Sequence, residues 1–213
     1  MKTSYLKAIT QHRQAKPEGD YKGFSILVPL LQVQNELHLL FEVRSENLKT
    51  QPGEICFPGG RIEMNESPEQ CALRETAEEL GLAEAAIELF GPLDYIVTPY
   101  NLILYPYLGT LPTINPQDFP INPDEVAALF TVPLSFFIEN PPLEHPIHVK
   151  TEVDEDFPFD KIQNGRNYNW KMGSYPVLFY EYGEHIIWGM TARIVKNLVE
   201  IIQSKNGENG RII

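Results

Sequence analysis

The sequence predicts an α/β domain in which strands and helices are stacked in layers. Apolar runs of strand length recur from Phe24 to Gly189, and two segments among them repeat apolar residues at helical spacing. Strands that surround helices in this way are typical of layered α/β or α+β domains. The 213 residues, 43% of them hydrophobic, suffice for one domain with a full core.

The strand-like runs begin with a hairpin. Residues 24–33 and 37–45 are apolar runs that flank a short polar turn, which is a hairpin signal. Further strand-like runs are residues 54–57, 87–97, 102–111 and 175–189. The segments 111–123 and 139–166 are rich in proline, asparagine and acidic residues, which predicts long surface loops.

Helical patterns and composition divide the chain into three parts. We predict an N-terminal helical extension over residues 1–20, the main domain over residues 21–205, and a flexible C-terminal tail over residues 206–213. Within the main domain, helices are predicted at 68–80 and 191–203, where apolar residues recur at helical spacing.

The composition limits the classes of partner. The chain has 29 Asp and Glu against 17 Lys and Arg, a formal net charge of −12, which argues against sequence-independent nucleic-acid binding. The longest apolar run, 24–31, is interrupted by Pro29 and is too short for a membrane span. The polar first residues lack the apolar core of a secretory signal, so a cytoplasmic location is expected. Cys56 and Cys71 are expected to be reduced thiols in the interior.

The ends of the first predicted helix carry strong local signals. Ser67 is a suitable N-cap, Pro68 suits the first helical position, and Gln70 completes a capping box. Gly81 follows Leu80 as a C-terminal stop. These signals predict a helix over residues 68–80.

One face of this helix gathers negative charge. Glu75, Glu78 and Glu79 are neighbours at helical spacing, where like charges repel by a few tenths of a kcal/mol per pair. They also lie near the helix C-terminus, where the dipole disfavours anions. Two interpretations remain open: a solvated acidic face, or a site for a hard divalent cation such as Mg²⁺, which prefers oxygen ligands. Arg74 is either the group that orients a carboxylate or a surface ion pair.

A glycine pair precedes the helix. Gly59 and Gly60 end the strand-like run 54–57 and are predicted to form a turn, in which glycine permits unusual backbone angles and close approach of a phosphate or a metal to the main chain.

The spacing of these glycines and glutamates along the sequence resembles a known family signature. Counting from Gly60, the fixed positions of the Nudix box are all present: Gly60, Glu66, Arg74, Glu75, Glu78, Glu79, Gly81 and Leu82. The resemblance implies a Nudix fold, in which a mixed curved β-sheet is sandwiched between helices, and hydrolysis of a diphosphate linked to another moiety. Thr76 is a mild departure, since many members have an aliphatic residue there.

Position by position, the resemblance also implies roles. Glu75, Glu78 and Glu79 become ligands of Mg²⁺ or Mn²⁺, Gly60 adds its carbonyl, and Glu66 is an accessory ligand. Arg74 then assists catalysis by orienting the carboxylates. The general base is not fixed by the box, because Glu78, Glu79 or a loop residue, Glu125, can reach a metal-bound water.

A second motif resembles the coenzyme A diphosphatase branch of the family. It comprises residues 40–45, Lys49, Gly53 and 57–60, with further fragments at 122–126, 132–134 and 187–193. This sequence departs from the motif at Glu42, where threonine is usual, and at Lys49, where arginine is usual. Lysine keeps the positive charge of arginine but cannot form the same two parallel hydrogen bonds to a phosphate.

The branch resemblance implies the substrate. Arg44 and Lys49 are candidates for phosphate binding, with Gly59 and Gly60 in the same loop, and Tyr100 and Trp188 either stack on adenine or belong to the core. The implied reaction converts coenzyme A or acyl-CoA to 3′,5′-ADP and (acyl-)4′-phosphopantetheine. A different nucleoside diphosphate derivative such as ADP-ribose, or a non-catalytic nucleotide-sensing module, are the alternatives. The expected partner is this small molecule, with neither nucleic acid nor membrane, and the protein is expected to be a monomer or homodimer.

Overall fold

The structure, a computed structural model, describes residues 2–209. This part of the chain has four α-helices and eleven strands. The helices are α1 (Thr3–Thr10), α2 (Pro68–Leu80), α3 (Leu134–Glu139) and α4 (Gly189–Asn209). The strands are β1 (Lys22–Val33), β2 (Glu36–Arg44), β3 (Ile55–Cys56), β4 (Gly59–Arg61), β5 (Glu88–Pro92), β6 (Ile96–Val97), β7 (Leu102–Thr110), β8 (Val126–Pro133), β9 (Leu143–Val149), β10 (Gly173–Tyr182) and β11 (His185–Trp188).

Eight strands form one mixed sheet. The order β3-β2-β1-β7-β5 runs across it, while β8 pairs with β2, β4 with β1, and β6 with β7. Strands β1 and β7 are parallel, and the other pairs in this sheet are antiparallel. The remaining strands form a separate antiparallel sheet in the order β11-β10-β9. The predicted mixed sheet is confirmed.

Both faces of the mixed sheet are covered, which confirms the layered fold. In β1, Leu27 and Leu31 pack with Leu80 of α2, whereas Val28 on the opposite face joins a cluster that includes Leu198 of α4. Helix α3 and strands β10 and β11 contribute to the α4 side. Because side chains of a strand alternate between faces, burial on both sides explains the continuous apolar run of β1.

The two ends of the chain extend beyond these layers. Helix α1 lies inside the predicted N-terminal extension, and none of its residues is buried. Helix α4 continues to Asn209, past the predicted boundary at residue 205, and residues 210–213 of the predicted tail lie outside the described residues. None of the helices described here combines the length and apolar character of a membrane span.

Two expectations about the loops need correction, and two further elements were not predicted. The predicted loop 139–166 contains strand β9, which pairs with β10 at the edge of the small sheet. It is exposed along most of its length and contains Pro146, so it lacks the alternating pattern that indicates a strand. Strand β8 and helix α3 were not predicted, since the burial of β8 follows no clean alternation. In the loop 111–123, Leu111 and Phe119 are buried beneath α2 rather than lying on the surface.

Candidate active site

Helix α2 is fixed at both ends as the sequence predicts. The backbone N–H of Gln70 donates to Ser67 Oγ at 3.2 Å, and the N–H of Ser67 donates to Gln70 Oε1 at 2.9 Å, which completes the capping box. Gly81 ends the helix in the left-handed conformation, with φ of 64°. A Cβ at Gly81 would lie 2.2 Å from the carbonyl oxygen of Pro120, so the loop after α2 packs against its C-terminus.

The glycine pair is part of a strand, and the predicted turn is wrong. Gly59 and Gly60 begin β4 and pair with Ile26 and Ser25 of β1. The glycines are required by close packing: a Cβ at Gly59 would lie 2.3 Å from the carbonyl oxygen of Ser25, and one at Gly60 would lie 2.2 Å from Cδ of Glu75. The carboxylate of Glu75 therefore lies directly on the main chain of β4.

Glu79 contacts the same strand from the next turn of α2. Its Oε2 accepts a hydrogen bond from the backbone N–H of Gly59 at 2.8 Å. Glu79 is only 7% exposed, and this burial raises the pKa of its carboxyl to about 8. Burial likewise raises the pKa of Glu75. The interpretation as a solvated acidic face is therefore wrong for Glu79, because a buried carboxylate is unfavourable unless it is paired or coordinates a metal.

Arg74 joins three of the predicted site carboxylates. It binds Glu66 through two hydrogen bonds, from Nε at 2.8 Å and from a terminal nitrogen at 3.1 Å. Its other terminal nitrogen contacts Glu75 at 2.9 Å and Glu78 at 3.2 Å. The hydrogen bond from Arg74 lowers the pKa of Glu66 to about 2. The structure thus brings Arg74 to the position expected of an orienting group, and a lone surface ion pair is the wrong description.

Glu42, which the sequence marks as a departure from the second motif, is a neighbour of the site. Its side chain is 2% exposed, and its Oε1 has no hydrogen-bond partner among the described residues. Burial raises the pKa of Glu42, and the nearby charges of Glu79 and Glu125 add to this rise, whereas Arg44 opposes it. The signals in the sequence are its departure from the usual threonine of the second motif and its acidic side chain among the apolar residues of 39–43.

Glu125 reaches this group through the loop that packs on α2. The backbone N–H of Asn122 donates to the carbonyl of Glu79 at 2.9 Å, and the side-chain amide of Asn122 donates to Glu125 Oε2 at 3.1 Å. The charge of Glu125 contributes to the raised pKa of Glu79. The predicted candidate for the base is thus an exposed carboxylate beside the end of α2.

The donor chemistry fits a hard divalent cation. The group has six carboxyl side chains beside the two guanidinium groups of Arg44 and Arg74, and carboxylate oxygens are ligands that Mg²⁺ prefers. The carboxyl side chains are those of Glu42, Glu66, Glu75, Glu78, Glu79 and Glu125. Among the side chains that the structure describes, no three His, Cys, Asp or Glu groups already form a metal-ligand set. Instead, Glu75 and Glu78 engage Arg74 and Glu79 engages Gly59.

A cavity of about 540 Å³ opens beside Gly59, and we call it the aromatic cavity. Its lining includes Arg44, Gly59, Tyr100, Tyr175, Trp188 and Arg193. Tyr100 is 74% exposed and Trp188 43% exposed, so a core role for these two residues is wrong. Arg44 reaches the cavity as expected of a phosphate-binding candidate, whereas Lys49 is exposed and is not part of its lining.

The two thiols have different environments. Cys71 is buried as expected, and burial raises its pKa to about 12. Cys56 is half-buried and lines the aromatic cavity, so the expectation of a fully interior thiol is wrong there. Both cysteines are free.

Comparisons with known proteins identify relatives of this chain. The chain is 42% identical over 116 residues to the peroxisomal coenzyme A diphosphatase NUDT7 of Mus musculus, covering 54% of this chain and 48% of the mouse protein. It is 27% identical over 199 residues to the mitochondrial coenzyme A diphosphatase NUDT8 of Homo sapiens, covering 92% of this chain and 75% of the human protein. The matched part thus spans about half the length of the mouse relative.

A solved structure shows the fold, and a family model shows the family. The crystal structure of a MutT/nudix family protein from Enterococcus faecalis is similar in fold, with a TM-score of 0.52 and 15% identity over 95% of this chain and 70% of that one. The model of the NUDIX domain matches residues 22–151, more than half of the chain. This chain therefore belongs to the Nudix hydrolase family.

Proposed function

We propose that this protein is a metal-dependent diphosphatase that cleaves coenzyme A or acyl-CoA into 3′,5′-ADP and (acyl-)4′-phosphopantetheine. The observation that carries the proposal is the position of Gly59. Its N–H binds the buried carboxylate of Glu79, and the same residue lines the aromatic cavity. Carboxylates suited to a divalent cation therefore adjoin a cavity of the size that small-molecule ligands occupy. The names of the mouse and human relatives support coenzyme A as the substrate.

Glu75, Glu78 and Glu79 would hold Mg²⁺ or Mn²⁺, with the carbonyl of Gly60 and the carboxylate of Glu66 as additional ligands. When bound, the cation would neutralise the diphosphate and lower the pKa of a bound water.

Arg74 keeps the carboxylates oriented, because its guanidinium already bridges Glu66, Glu75 and Glu78. Glu78, Glu79 or Glu125 would accept the proton of the attacking water. Glu78 and Glu125 are exposed and so accessible to water, whereas Glu79 is buried.

The cationic side chains that precede β4 in the sequence would bind the phosphates. Arg44 lines the aromatic cavity, where its guanidinium would donate charge-assisted hydrogen bonds to phosphate oxygens. Lys49 is exposed in the connection between β2 and β3, from which it would contribute charge at the entrance. Gly59 and Gly60 allow the substrate to approach the backbone of β4 closely.

Product analysis tests this proposal. Purified protein is incubated separately with coenzyme A, ADP-ribose and NADH, each with Mg²⁺ or Mn²⁺, and the products are resolved by liquid chromatography. We expect 3′,5′-ADP and 4′-phosphopantetheine from coenzyme A. Much faster turnover of ADP-ribose would instead support the second candidate, a Nudix hydrolase of another nucleoside diphosphate derivative.

A non-catalytic nucleotide-sensing module is the third candidate. Glu79→Gln separates it from an enzyme, since an enzyme loses turnover by orders of magnitude whereas a pure binder has no turnover to lose. A sensor without metal also predicts no change of melting temperature with Mn²⁺.

The organisation of the protein is proposed on the same basis. We propose a helical extension over residues 1–20 and a Nudix domain from residue 21, in a monomer or homodimer that acts on this small molecule without nucleic acid or membrane. We propose a cytoplasmic location. The mouse relative is named as peroxisomal and the human relative as mitochondrial, and these compartments apply to those proteins.

A further inference from the structure

The aromatic cavity contains a second cation, Arg193, which the site described above does not use. Arg193 is half-buried on the second turn of α4. The start of α4 is attached to β3, because Thr191 Oγ1 donates to the carbonyl of Ile55 at 3.2 Å. Arg193 lines the aromatic cavity together with Gly59, whose N–H binds the site carboxylate of Glu79.

Arg193 has no carboxylate partner within the described part of this acidic chain. It also borders a smaller cavity whose lining includes Asp94 and Glu200, but both acids have other partners. Asp94 accepts a hydrogen bond from the side-chain amide of Asn197 at 2.8 Å, and Glu200 pairs with Lys196 at 3.7 Å. A half-buried guanidinium that nearby acids leave unpaired is suited to binding an anionic ligand.

Two phenol groups accompany Arg193 in the cavity. The hydroxyls of Tyr100 and Tyr175 are 3.1 Å apart and hydrogen-bonded to each other. This hydrogen bond raises the pKa of Tyr175, and the positive charge of Arg193 opposes the rise, so the guanidinium acts on the same pair. A guanidinium and hydroxyl donors together form a donor set for a phosphate monoester, while the rings of Tyr100 and Trp188 offer faces to a nucleobase.

We propose that Arg193, with the hydroxyls of Tyr100 and Tyr175, binds the 3′-phosphate of the nucleotide and so selects substrates that carry one. This inference rests on the proposed function. In coenzyme A, the diphosphate must lie at the carboxylates beside Gly59 for cleavage, which leaves the ribose phosphate as a separate anionic group. Arg44 and Arg193, on β2 and α4, supply one cation for each group.

The test compares coenzyme A with dephospho-coenzyme A, which lacks only the 3′-phosphate. In the wild-type protein we expect a higher kcat/KM for coenzyme A. Arg193→Ala should lower kcat/KM for coenzyme A about 10- to 100-fold, mainly through KM, because it removes charged hydrogen bonds to the 3′-phosphate. It should change kcat/KM for dephospho-coenzyme A by no more than about twofold, because that substrate lacks the phosphate. The kcat/KM of Arg193→Lys for coenzyme A should lie between those of wild type and Arg193→Ala, since lysine keeps the positive charge but lacks the planar guanidinium with its paired donors.

Arg166→Ala is the control, an arginine that lies over the ring of Phe159 at 4.8 Å and lines neither of the two cavities that Arg193 borders. It should leave both substrates unchanged. An equal loss for both substrates in Arg193→Ala would overturn the proposal, because it would indicate a role in stacking or folding.

Calorimetric binding of the nucleotides separates this inference from the proposed function. Wild type should bind 3′,5′-ADP more tightly than 5′-AMP, and Arg193→Ala should lose that difference. If coenzyme A is not hydrolysed while this difference is found and lost as expected, the proposed function fails and the phosphate site stands. Equal affinity of wild type for the two nucleotides would overturn the phosphate site whatever the activity.

Discussion

Replacing Gly60 by alanine is expected to disable the active site while the domain stays folded. The added Cβ would lie 2.2 Å from Cδ of Glu75 and 2.3 Å from its Oε1. Because carbon atoms in contact are about 3.5–4.0 Å apart, the carboxylate must move by more than about 1 Å. It is the end of a flexible side chain, and Gly60 does not have a positive φ, so β4 can accommodate alanine. A displacement of this size can lower the rate about 100-fold.

The assay measures kcat/KM for coenzyme A with Mg²⁺ together with the melting temperature of the metal-free protein. We expect Gly60→Ala to lose about 100-fold in kcat/KM and to keep its melting temperature. Gly173→Ala is the control, because its Cβ would be in ordinary contact with Val149 at 3.7 Å. Wild-type activity in Gly60→Ala would refute the reasoning, since Glu75 would then not need its position on β4.

Three further predictions follow from the same contacts. Gly59→Ala should lower the free energy of unfolding in urea by about 1–3 kcal/mol, because its Cβ would meet the backbone of Ser25 rather than a movable side chain; an unchanged urea midpoint would contradict this. Arg74→Lys should lower kcat about 10- to 100-fold, because lysine cannot hold Glu66 with two hydrogen bonds while bridging Glu75; wild-type kcat would show that the bridge is dispensable. Burial raises the pKa of Glu79 from 4.5 to about 8, so without metal the folded protein holds this proton more tightly than the unfolded chain does, and stability falls as the pH rises between these values. The free energy of unfolding is measured in urea with EDTA at pH 5 and at pH 8. Relative to wild type, Glu79→Gln should be more stable at pH 8 than at pH 5. The same difference in stability at both pH values would contradict the raised pKa of Glu79.

Features set by local sequence could be predicted. The ends of α2 depend on Ser67, Gln70 and Gly81, whose effects act within a few residues, and both ends lie where the sequence places them. The order of apolar runs likewise predicted the hairpin of β1 and β2. The spacing of Glu75, Glu78 and Glu79 predicted that they are neighbours on α2, because a helix fixes their relative positions.

Features set by packing between distant segments could not be predicted. The glycines of β4 resemble a turn in the sequence, and only their fit against β1 and Glu75 shows why side chains are excluded there. Glu42 departs visibly from the second motif, but its place beside the site could not be predicted, since its burial depends on elements far away in the chain. The same holds for Arg193, whose lack of a carboxylate partner depends on the pairing of Asp94 and Glu200 with other groups.

The ratio of kcat/KM for coenzyme A to that for ADP-ribose, measured side by side with Mg²⁺, tests the central claim most directly. The proposed diphosphatase predicts that coenzyme A is favoured by about tenfold or more, equivalent to about 1.4 kcal/mol of transition-state binding, and that Glu79→Gln abolishes both activities. A ratio below one, or turnover that persists in Glu79→Gln, would contradict it.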